Sequence, residues 1–245
     1  MENRLKPETT SFSLHIMAMA FMLCDHLWGT SVVSSDLFTC IGPLAFPIYA
    51  FLIVEGYFHT RSLKKYVHRL LLFAVISEIP FNLVTGGSIF YPLHQNVLWS
   101  FLISIGLIHW NERVKGKRGW KRILVGIATF CIAYIGGIIT FVDYYQAGIL
   151  MVLAFYCFRG GKWWHYLAQL ICMWYINCQM LGGFGYVFEL FGAEHFVPQQ
   201  ALALLALIPI WLYRGRQGYH SKTLQWIYYL FYPLHLLILG MIGLL

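Results

Sequence analysis

The first apolar segment of the chain reads LHIMAMAFMLCDHLW over residues 14–28 and carries two ionisable side chains, Asp25 and His26. A segment of this kind is typical of a transmembrane helix. Carrying a charged group into the hydrocarbon core costs about 3 kcal/mol, so ionisable residues at such positions usually mark a functional site. This pair is therefore the first candidate for chemistry in the chain.

The composition indicates a polytopic membrane protein. Hydrophobic residues make up 59% of the 245 residues and charged residues only 11%, whereas a soluble domain is about one-quarter charged. Apolar runs long enough to cross a bilayer recur along the whole chain. The sequence predicts one all-α domain over residues 1–245, with about nine transmembrane helices at 12–33, 38–58, 67–85, 95–112, 121–141, 144–158, 163–182, 198–213 and 224–244.

The basic residues predict the orientation of these helices. All seventeen Lys and Arg fall at the N-terminus, in alternate loops or at the starts of the helices that follow those loops, from Arg4 and Lys6 to Lys222, while the other loops carry Asp36, Asp143 and Glu residues. The positive-inside rule then predicts a cytoplasmic N-terminus and an external C-terminus. We expect a multi-pass protein of a bacterial inner (cytoplasmic) membrane, surrounded by lipid. The net charge of +7 reflects this topology and gives no support to a nucleic-acid partner, because the basic residues are spread among short loops.

Several kinds of site find no support in the sequence. None of the six cysteines belongs to a C-x-x-C pair, so we interpret them as small core residues rather than a disulfide or zinc framework. The sequence has no P-loop, H-E-x-x-H or G-x-S-x-G motif, which leaves phosphoryl transfer, zinc proteolysis and serine hydrolysis without support. We expect no metal.

Polar residues inside the predicted helices suggest a cavity. With this topology Asp25, His26 and Glu78 lie at similar depths in the outer half of the membrane. We expect polar groups at this level to converge on one cavity that opens outward. The candidate substrate-cavity residues are Glu55, Asn82, Asn96, Asp143, Tyr144 and His235.

Helix geometry limits which of these residues meet. Adjacent residues on a helix point about 100° apart, so Asp25 and His26 face different neighbours. Glu78 and Asn82 are four residues apart and share a face. Helix packing alone also explains some of them: Asn82, Asn96, His26 and His235 as hydrogen-bonding residues between helices, and Glu78 as a partner for backbone that Pro80 frees.

A basic cluster follows the second helix, where Glu55 and His59 share a face. Its members, together with His59, are Arg61, Lys64, Lys65 and Arg69. Topology alone accounts for their charge. The alternative is that they hold the phosphates of an anionic cytosolic cofactor.

Several segments together resemble the TraX family. MLCDH at 22–26 resembles its M-x-x-D-H, and IGPLAFPIYAF at 41–51 with EGYFHTR at 55–61 resembles its G-R-x-A-F-P and E-G-x-x-x-T-R motifs. Further matches are YVHRL at 66–70, SEIPFN at 77–82, NV at 96–97, DY at 143–144 and FYPLHL at 231–236. Pro43 departs from the pattern, where the family has a basic residue.

The resemblance implies acetyl transfer. TraX is associated with acetylation of the N-terminal amine of conjugative pilin, and it is similar to transmembrane acyltransferases that use cytosolic acetyl-CoA. The resemblance thus implies acetyl-CoA as co-substrate. The acceptor stays open between a peptide or protein N-terminus and a surface glycan, because many family members occur away from conjugation operons.

We expect His26 to be the base that takes the proton of the acceptor, because a buried neutral imidazole is suited to this step. Asp25 or Glu78 would orient it from the same or a neighbouring helix. Direct transfer is the default, with an acetyl-histidine intermediate as an alternative and Cys24 as a less favoured nucleophile.

Two other functions remain open at this point. Intramembrane Asp, Glu and His residues are also typical of proton-coupled transporters, although the chain has no repeated halves of the kind that many carriers show. A non-catalytic factor for the assembly of pili or envelope proteins would use the same residues only for packing.

Overall fold

The computed structural model describes residues 8–190 and 192–243; Arg4 and Lys6 lie outside them. The described residues form nine helices in the predicted order. Their bounds are α1 Ser11–Gly29, α2 Asp36–His59, α3 Leu63–Gly86, α4 Val97–Val114, α5 Gly119–Ile139, α6 Tyr145–Cys157, α7 residues 163–181, α8 Gln199–Trp211 and α9 Lys222–Gly243.

A β-hairpin departs from the all-helical prediction. Strand β1 (Gly185–Leu190) pairs antiparallel with β2 (Ala193–Pro198), from Gly185 opposite Pro198 to Leu190 opposite Ala193. The sequence prediction placed these residues in a loop. The strands hold alternating aromatic and β-branched residues, which favour extended backbone, and the fold class is therefore a mostly helical bundle with one small hairpin.

Four helices are long and apolar enough to cross a membrane: α2, α3, α5 and α9, with mean hydropathies of 2.1, 1.5, 2.0 and 1.5. Two others, α6 and α8, are apolar but shorter. A helix of 13 residues such as α6 spans about 20 Å, less than the hydrocarbon thickness. The chain is thus a membrane protein, and four of the nine helices in its described part meet the length and composition of a full span.

Local signals set the helix ends. The Thr10 side chain accepts a hydrogen bond from Ser13 N at 3.2 Å and starts α1. The Asn96 side chain accepts from Leu98 N at 3.1 Å, so α4 begins at Val97, two residues later than predicted. An N-cap residue has extended backbone and lies just outside its helix, which is why the predicted boundary was early.

The core is built around α1, α2, α4 and α6. In α6 the residues from Ala147 to Leu153 are nearly all buried, and Ile48 of α2 and Ile108 of α4 are fully buried against them. By contrast, α5 leaves large apolar side chains such as Ile123, Ile127 and Phe130 exposed. A lipid-facing helix surface is expected to look like this, so α5 lies at the periphery of the bundle.

Contacts between helix ends and the segments that connect them define one end of the bundle. Ser11 N donates to Arg216 O at 2.9 Å, and Arg159 Nε donates to Glu55 Oε1 at 2.7 Å. These contacts bring together the start of α1, the end of α2, the end of α6 and the connection from α8 to α9. Every described Lys and Arg lies at this end or in the first two turns of helices that begin there. We call it the basic end.

Candidate functional site

A cavity of about 570 Å³ lies between α1, α2, α3 and α9. This volume is within the range of sites for small ligands and cofactors. Exposed side chains at the basic end, including His59, Arg61 and His220, form its mouth. The interior is lined by side chains of the four helices and by Val97, Leu98 and Phe101 of α4. The cavity therefore leads from the basic end into the middle of the bundle.

The mouth combines positive charge with aromatic rings. Arg69 Nε donates to Tyr229 Oη at 3.4 Å, and its guanidinium lies 5.8 Å from the centroid of that ring. Tyr213 lines the same mouth. Burial and the nearby Glu55 carboxylate raise the pKa of Tyr213, so its hydroxyl stays protonated at neutral pH and can donate a hydrogen bond.

Glu55 lies at the mouth but its charge is matched. Besides the 2.7 Å bond from Arg159, its Oε2 is 3.5 Å from His59 Nδ1, which also lies 2.9 Å from the Glu55 carbonyl. The Arg159 guanidinium stacks 4.5 Å over the Phe58 ring, which holds it in place. The pairing leaves Arg61 and Arg69 as the cationic groups that line the cavity.

The predicted basic cluster is divided between two places. His59, Arg61 and Arg69 line the cavity, whereas Lys64 and Lys65 line a neighbouring surface depression with His68 and Arg69. The two lysines are in the first turn of α3 and do not line the cavity. The structure thus brings three of the five predicted cofactor residues together at the mouth.

Two helical stripes form the long walls of the cavity. On α1 these are His15, Met19 and Met22, and on α9 they include Tyr228 and Tyr232. Residues spaced by three or four lie on one face of a helix. Continued by one more turn, the α1 stripe reaches His26 and the α9 stripe reaches His235. The two histidines therefore lie just beyond the closed end of the cavity.

His26 and His235 are hydrogen-bonded, and their partners define the proton positions. His26 Nδ1 lies 2.6 Å from His235 Nε2, and His235 Nδ1 lies 2.7 Å from the carbonyl oxygen of Phe231. A carbonyl only accepts, so His235 Nδ1 carries a proton and its Nε2 accepts from His26 Nδ1. In the neutral pair, His26 Nε2 then keeps its lone pair and can act as a base.

This geometry changes the predicted partner of His26. The sequence favoured Asp25 or Glu78 as the orienting group, whereas among the described residues the hydrogen-bond partner of His26 is His235. Asp25 instead packs against Gly42 of α2. The reason is the 100° rotation between adjacent residues, which directs His26 toward α9 and Asp25 toward α2.

Glu78 has a structural set of partners. Its Oε1 accepts from Asn96 N at 3.3 Å, Asn96 Nδ2 at 2.5 Å and Trp99 Nε1 at 2.6 Å. Asn96 Nδ2 also donates to the carbonyl of Ala74 at 2.8 Å. These bonds hold the start of α4 against α3. Glu78 therefore joins two helices, a role that differs from both sequence interpretations, which were to orient His26 or to bind backbone that Pro80 frees.

The other predicted cavity residues form separate groups. Asp143 Oδ1 is 3.3 Å from His94 Nε2 and accepts from Tyr144 N at 3.1 Å. The Tyr144 ring stacks 4.2 Å from Phe46. Asn82 Nδ2 donates to Ile89 O at 3.2 Å. Each group bonds locally and none lines the cavity described above.

The structure does not bring the predicted substrate-cavity residues together in one cavity. Of the six predicted substrate-cavity residues, Glu55 lines the cavity, and it does so at the basic end. Asn82, Asn96, Asp143 and Tyr144 lie near the opposite end, and His235 lies beyond the closed end. Asn96 binds Glu78, Asp143 lies beside His94 and Asn82 donates to Ile89, so local contacts hold these side chains outside the cavity.

Comparison with known proteins identifies the family. The family model described as TraX protein matches residues 11–243. The chain belongs to the TraX family. It is also similar to the "Probable fimbrial assembly protein FimC, serogroup H1" of Dichelobacter nodosus, with 30% identity over 109 residues, 39% of this chain and 44% of that protein. The chain thus matches less than half the length of this relative. No solved structure matches the chain.

Several cavity residues of this TraX-family chain were missed by the sequence analysis. They are His15, Tyr49, Tyr228 and His220. The spacing of His15, Met19, Met22 and His26 puts all four on one face of α1, a signal that the sequence contains. The tyrosines of α9 gave no such signal, because aromatic residues are equally common at membrane interfaces.

Gly42 offers a direct test of the Asp25 environment. A Cβ at residue 42 would overlap the Asp25 side chain, so we expect Gly42→Ala to lower the free energy of unfolding by about 1–3 kcal/mol. In Gly106→Ala, the matched control, the Cβ meets no atom within 4 Å and helix propensity makes the change neutral or stabilising. Thermal unfolding in detergent measures both. Equal stability of the two variants would contradict this placement of Asp25.

Proposed function

We propose that this TraX-family protein is a membrane-embedded acetyltransferase. It moves the acetyl group of cytosolic acetyl-CoA to an acceptor amine or hydroxyl at or beyond the membrane. The observation that carries the proposal is the cavity that begins among Arg61, Arg69 and His59 and ends one helical turn from His26. This reaction needs an anionic donor and a base, and the cavity extends from the basic residues at its mouth toward His26, which lies just beyond its closed end.

The orientation follows from the basic end. We place this end in the cytoplasm by the positive-inside rule, in the inner membrane, with the start of α1 inside and the end of α9 outside. The mouth of the cavity then opens where acetyl-CoA is available. His26 and His235 lie in the half of the bundle that faces away from the cytoplasm.

Labelling of single cysteines tests this orientation. In a background without native cysteines, we expect Ile89→Cys to react with a membrane-impermeant maleimide in intact cells. Residue 89 is exposed between α3 and α4, opposite the basic end. Lys117→Cys, exposed between α4 and α5 at the basic end, should react only after the cells are opened. The reverse pattern would place the cavity mouth outside.

The mouth is suited to the phosphates of acetyl-CoA. Guanidinium groups bind phosphate through two parallel hydrogen bonds, and Arg61 and Arg69 are available because Glu55 pairs with Arg159. Lys64 and Lys65 line the adjoining depression and add to the positive potential that attracts the anion. His59 lies beside these residues at the mouth of the cavity.

Substitution of the arginines tests the donor site. Arg61→Ala and Arg69→Ala should each raise the apparent KM for acetyl-CoA about tenfold, because a hydrogen bond to a charged group is lost. Lys117→Ala, which removes a positive charge at the same end but away from the cavity, should leave KM unchanged. If neither arginine variant changes KM, the basic cluster only sets the orientation of the protein in the membrane.

The chemistry requires two proton transfers. The acceptor nitrogen or oxygen attacks the thioester carbonyl, its proton passes to His26 Nε2, and the carbon–sulfur bond breaks to release CoA as a thiolate. The thiolate is then protonated, which returns His26 to its neutral form. His235 holds the His26 ring through Nδ1 and stabilises the imidazolium that forms. Asp25 and Glu78 position α1 against α2 and α3 against α4.

Loss of the base should lower turnover. We expect His26→Ala to reduce acetyl transfer, or slow hydrolysis of acetyl-CoA without acceptor, by about 10²–10⁴-fold while acetyl-CoA still binds. His68→Ala, an exposed histidine on α3 outside the cavity, serves as the matched control. Radiolabelled acetyl-CoA and purified protein measure binding, hydrolysis and any label retained on the protein. Turnover that survives in well-folded His26→Ala would exclude His26 as the base.

The similarity to the Dichelobacter nodosus protein suggests an acceptor. The name of that protein concerns fimbrial assembly, which favours the N-terminal amine of a pilus subunit as the acceptor. The same similarity favours a second candidate, a non-catalytic role in pilus assembly. Binding of acetyl-CoA separates the two, because an assembly factor has no need for a donor site. A monodisperse sample that binds no acetyl-CoA would favour that role or transport.

A further inference from the structure

One polar group in the cavity wall has no partner. The hydroxyl of Tyr228 is fully buried and, among the described residues, makes no hydrogen bond. Leaving a buried hydroxyl unpaired is unfavourable, so such a group in the wall of a cavity points to a ligand that would bind it. The Arg and His groups at the mouth do not account for it.

His15 lies against Tyr228 and supplies the complementary function. The two rings stack with centroids 4.3 Å apart and an interplanar angle of 11°. His15 Nδ1 lies 2.7 Å from the carbonyl oxygen of Ser11. A carbonyl only accepts, so Nδ1 carries the proton and, in the neutral ring, Nε2 keeps its lone pair. The pair thus offers one donor, Tyr228 O–H, and one acceptor, His15 Nε2.

We infer that His15 and Tyr228 form a subsite for a secondary amide of the ligand. An amide presents one N–H and one C=O, which match His15 Nε2 and Tyr228 O–H respectively. A phosphate fits less well, because at neutral pH it is mainly ionised and acts as an acceptor rather than as a donor to His15 Nε2. The inference rests on the proposed function for its ligand: in acetyl-CoA these amides belong to the pantetheine arm, which links the phosphates to the thioester.

The position of the subsite agrees with this assignment. His15 lies one turn into α1 from Ser11 at the mouth, and His26 lies eleven residues further on the same face. At a rise of 1.5 Å per residue this separation is about 16 Å. The apolar residues Met19, Leu52 and Ile53 line the cavity near this path. Phosphates at the mouth, amides at His15 and Tyr228 and a thioester toward His26 occur in the order of the groups along acetyl-CoA.

Three probes separate the parts of the ligand. Acetyl-CoA carries the nucleotide, both amides and the thioester. Desulfo-CoA carries the nucleotide and both amides without sulfur. Adenosine 3′,5′-bisphosphate carries part of the nucleotide and no amide. Dissociation constants are measured by calorimetry on the purified full chain in detergent.

Tyr228→Phe is the decisive variant, because it removes the hydroxyl and keeps the ring. We expect it to weaken acetyl-CoA and desulfo-CoA equally, by about tenfold, and to leave adenosine 3′,5′-bisphosphate unchanged. Its thermal stability should be equal to or above that of the native chain, since no hydrogen bond is lost. Tyr134→Phe, exposed on α5 and outside the cavity, makes the same chemical change and should alter none of the three constants.

Other results overturn the inference in distinguishable ways. If Tyr228→Phe leaves desulfo-CoA binding unchanged, or weakens the bisphosphate as strongly, the subsite does not bind an amide, while acetyl-CoA binding to the native chain upholds the proposed function. If Tyr228→Phe weakens acetyl-CoA alone, the hydroxyl acts on the thioester. If the native chain binds no acetyl-CoA, the proposed function fails and this inference fails with it.

Discussion

The hydrogen bond between His26 and His235 is the contact on which the rest of the site depends. It joins the first described helix to the last, and the stripes of α1 and α9 that lead to it form two walls of the cavity. In a low-dielectric interior such a bond is strong when both partners are satisfied. The carbonyl of Phe231 completes it and leaves one lone pair, that of His26 Nε2.

The bundle also shows how intramembrane polar groups are divided between structure and chemistry. Glu78, Asn96 and Trp99 use their hydrogen-bonding capacity on one another. In contrast, His15 and Tyr228 line the cavity, and the buried Tyr228 hydroxyl makes no hydrogen bond among the described residues. Hydrocarbon offers no hydrogen-bond partners. A polar group that lines a cavity and has no partner in the protein therefore indicates a ligand site better than polarity alone does.

Much of this was readable from the sequence. Apolar runs gave the nine helices, the motifs at 22–26 and 55–61 gave the family, and the 100° rule separated Asp25 from His26. The β-hairpin at 185–198 was missed because its aromatic residues also suit a membrane interface. His235 as the partner of His26 was missed because the contact joins residues 209 positions apart, and no local pattern reports which two helices become neighbours.

Because α9 forms one wall of the cavity, the cavity depends on the order in which the helices are made. The nascent chain inserts α1, α2 and α3 before α9 leaves the ribosome, so until then His26 lacks its partner His235 and the cavity lacks one wall. The cavity is therefore complete only once α9 has been inserted beside α1.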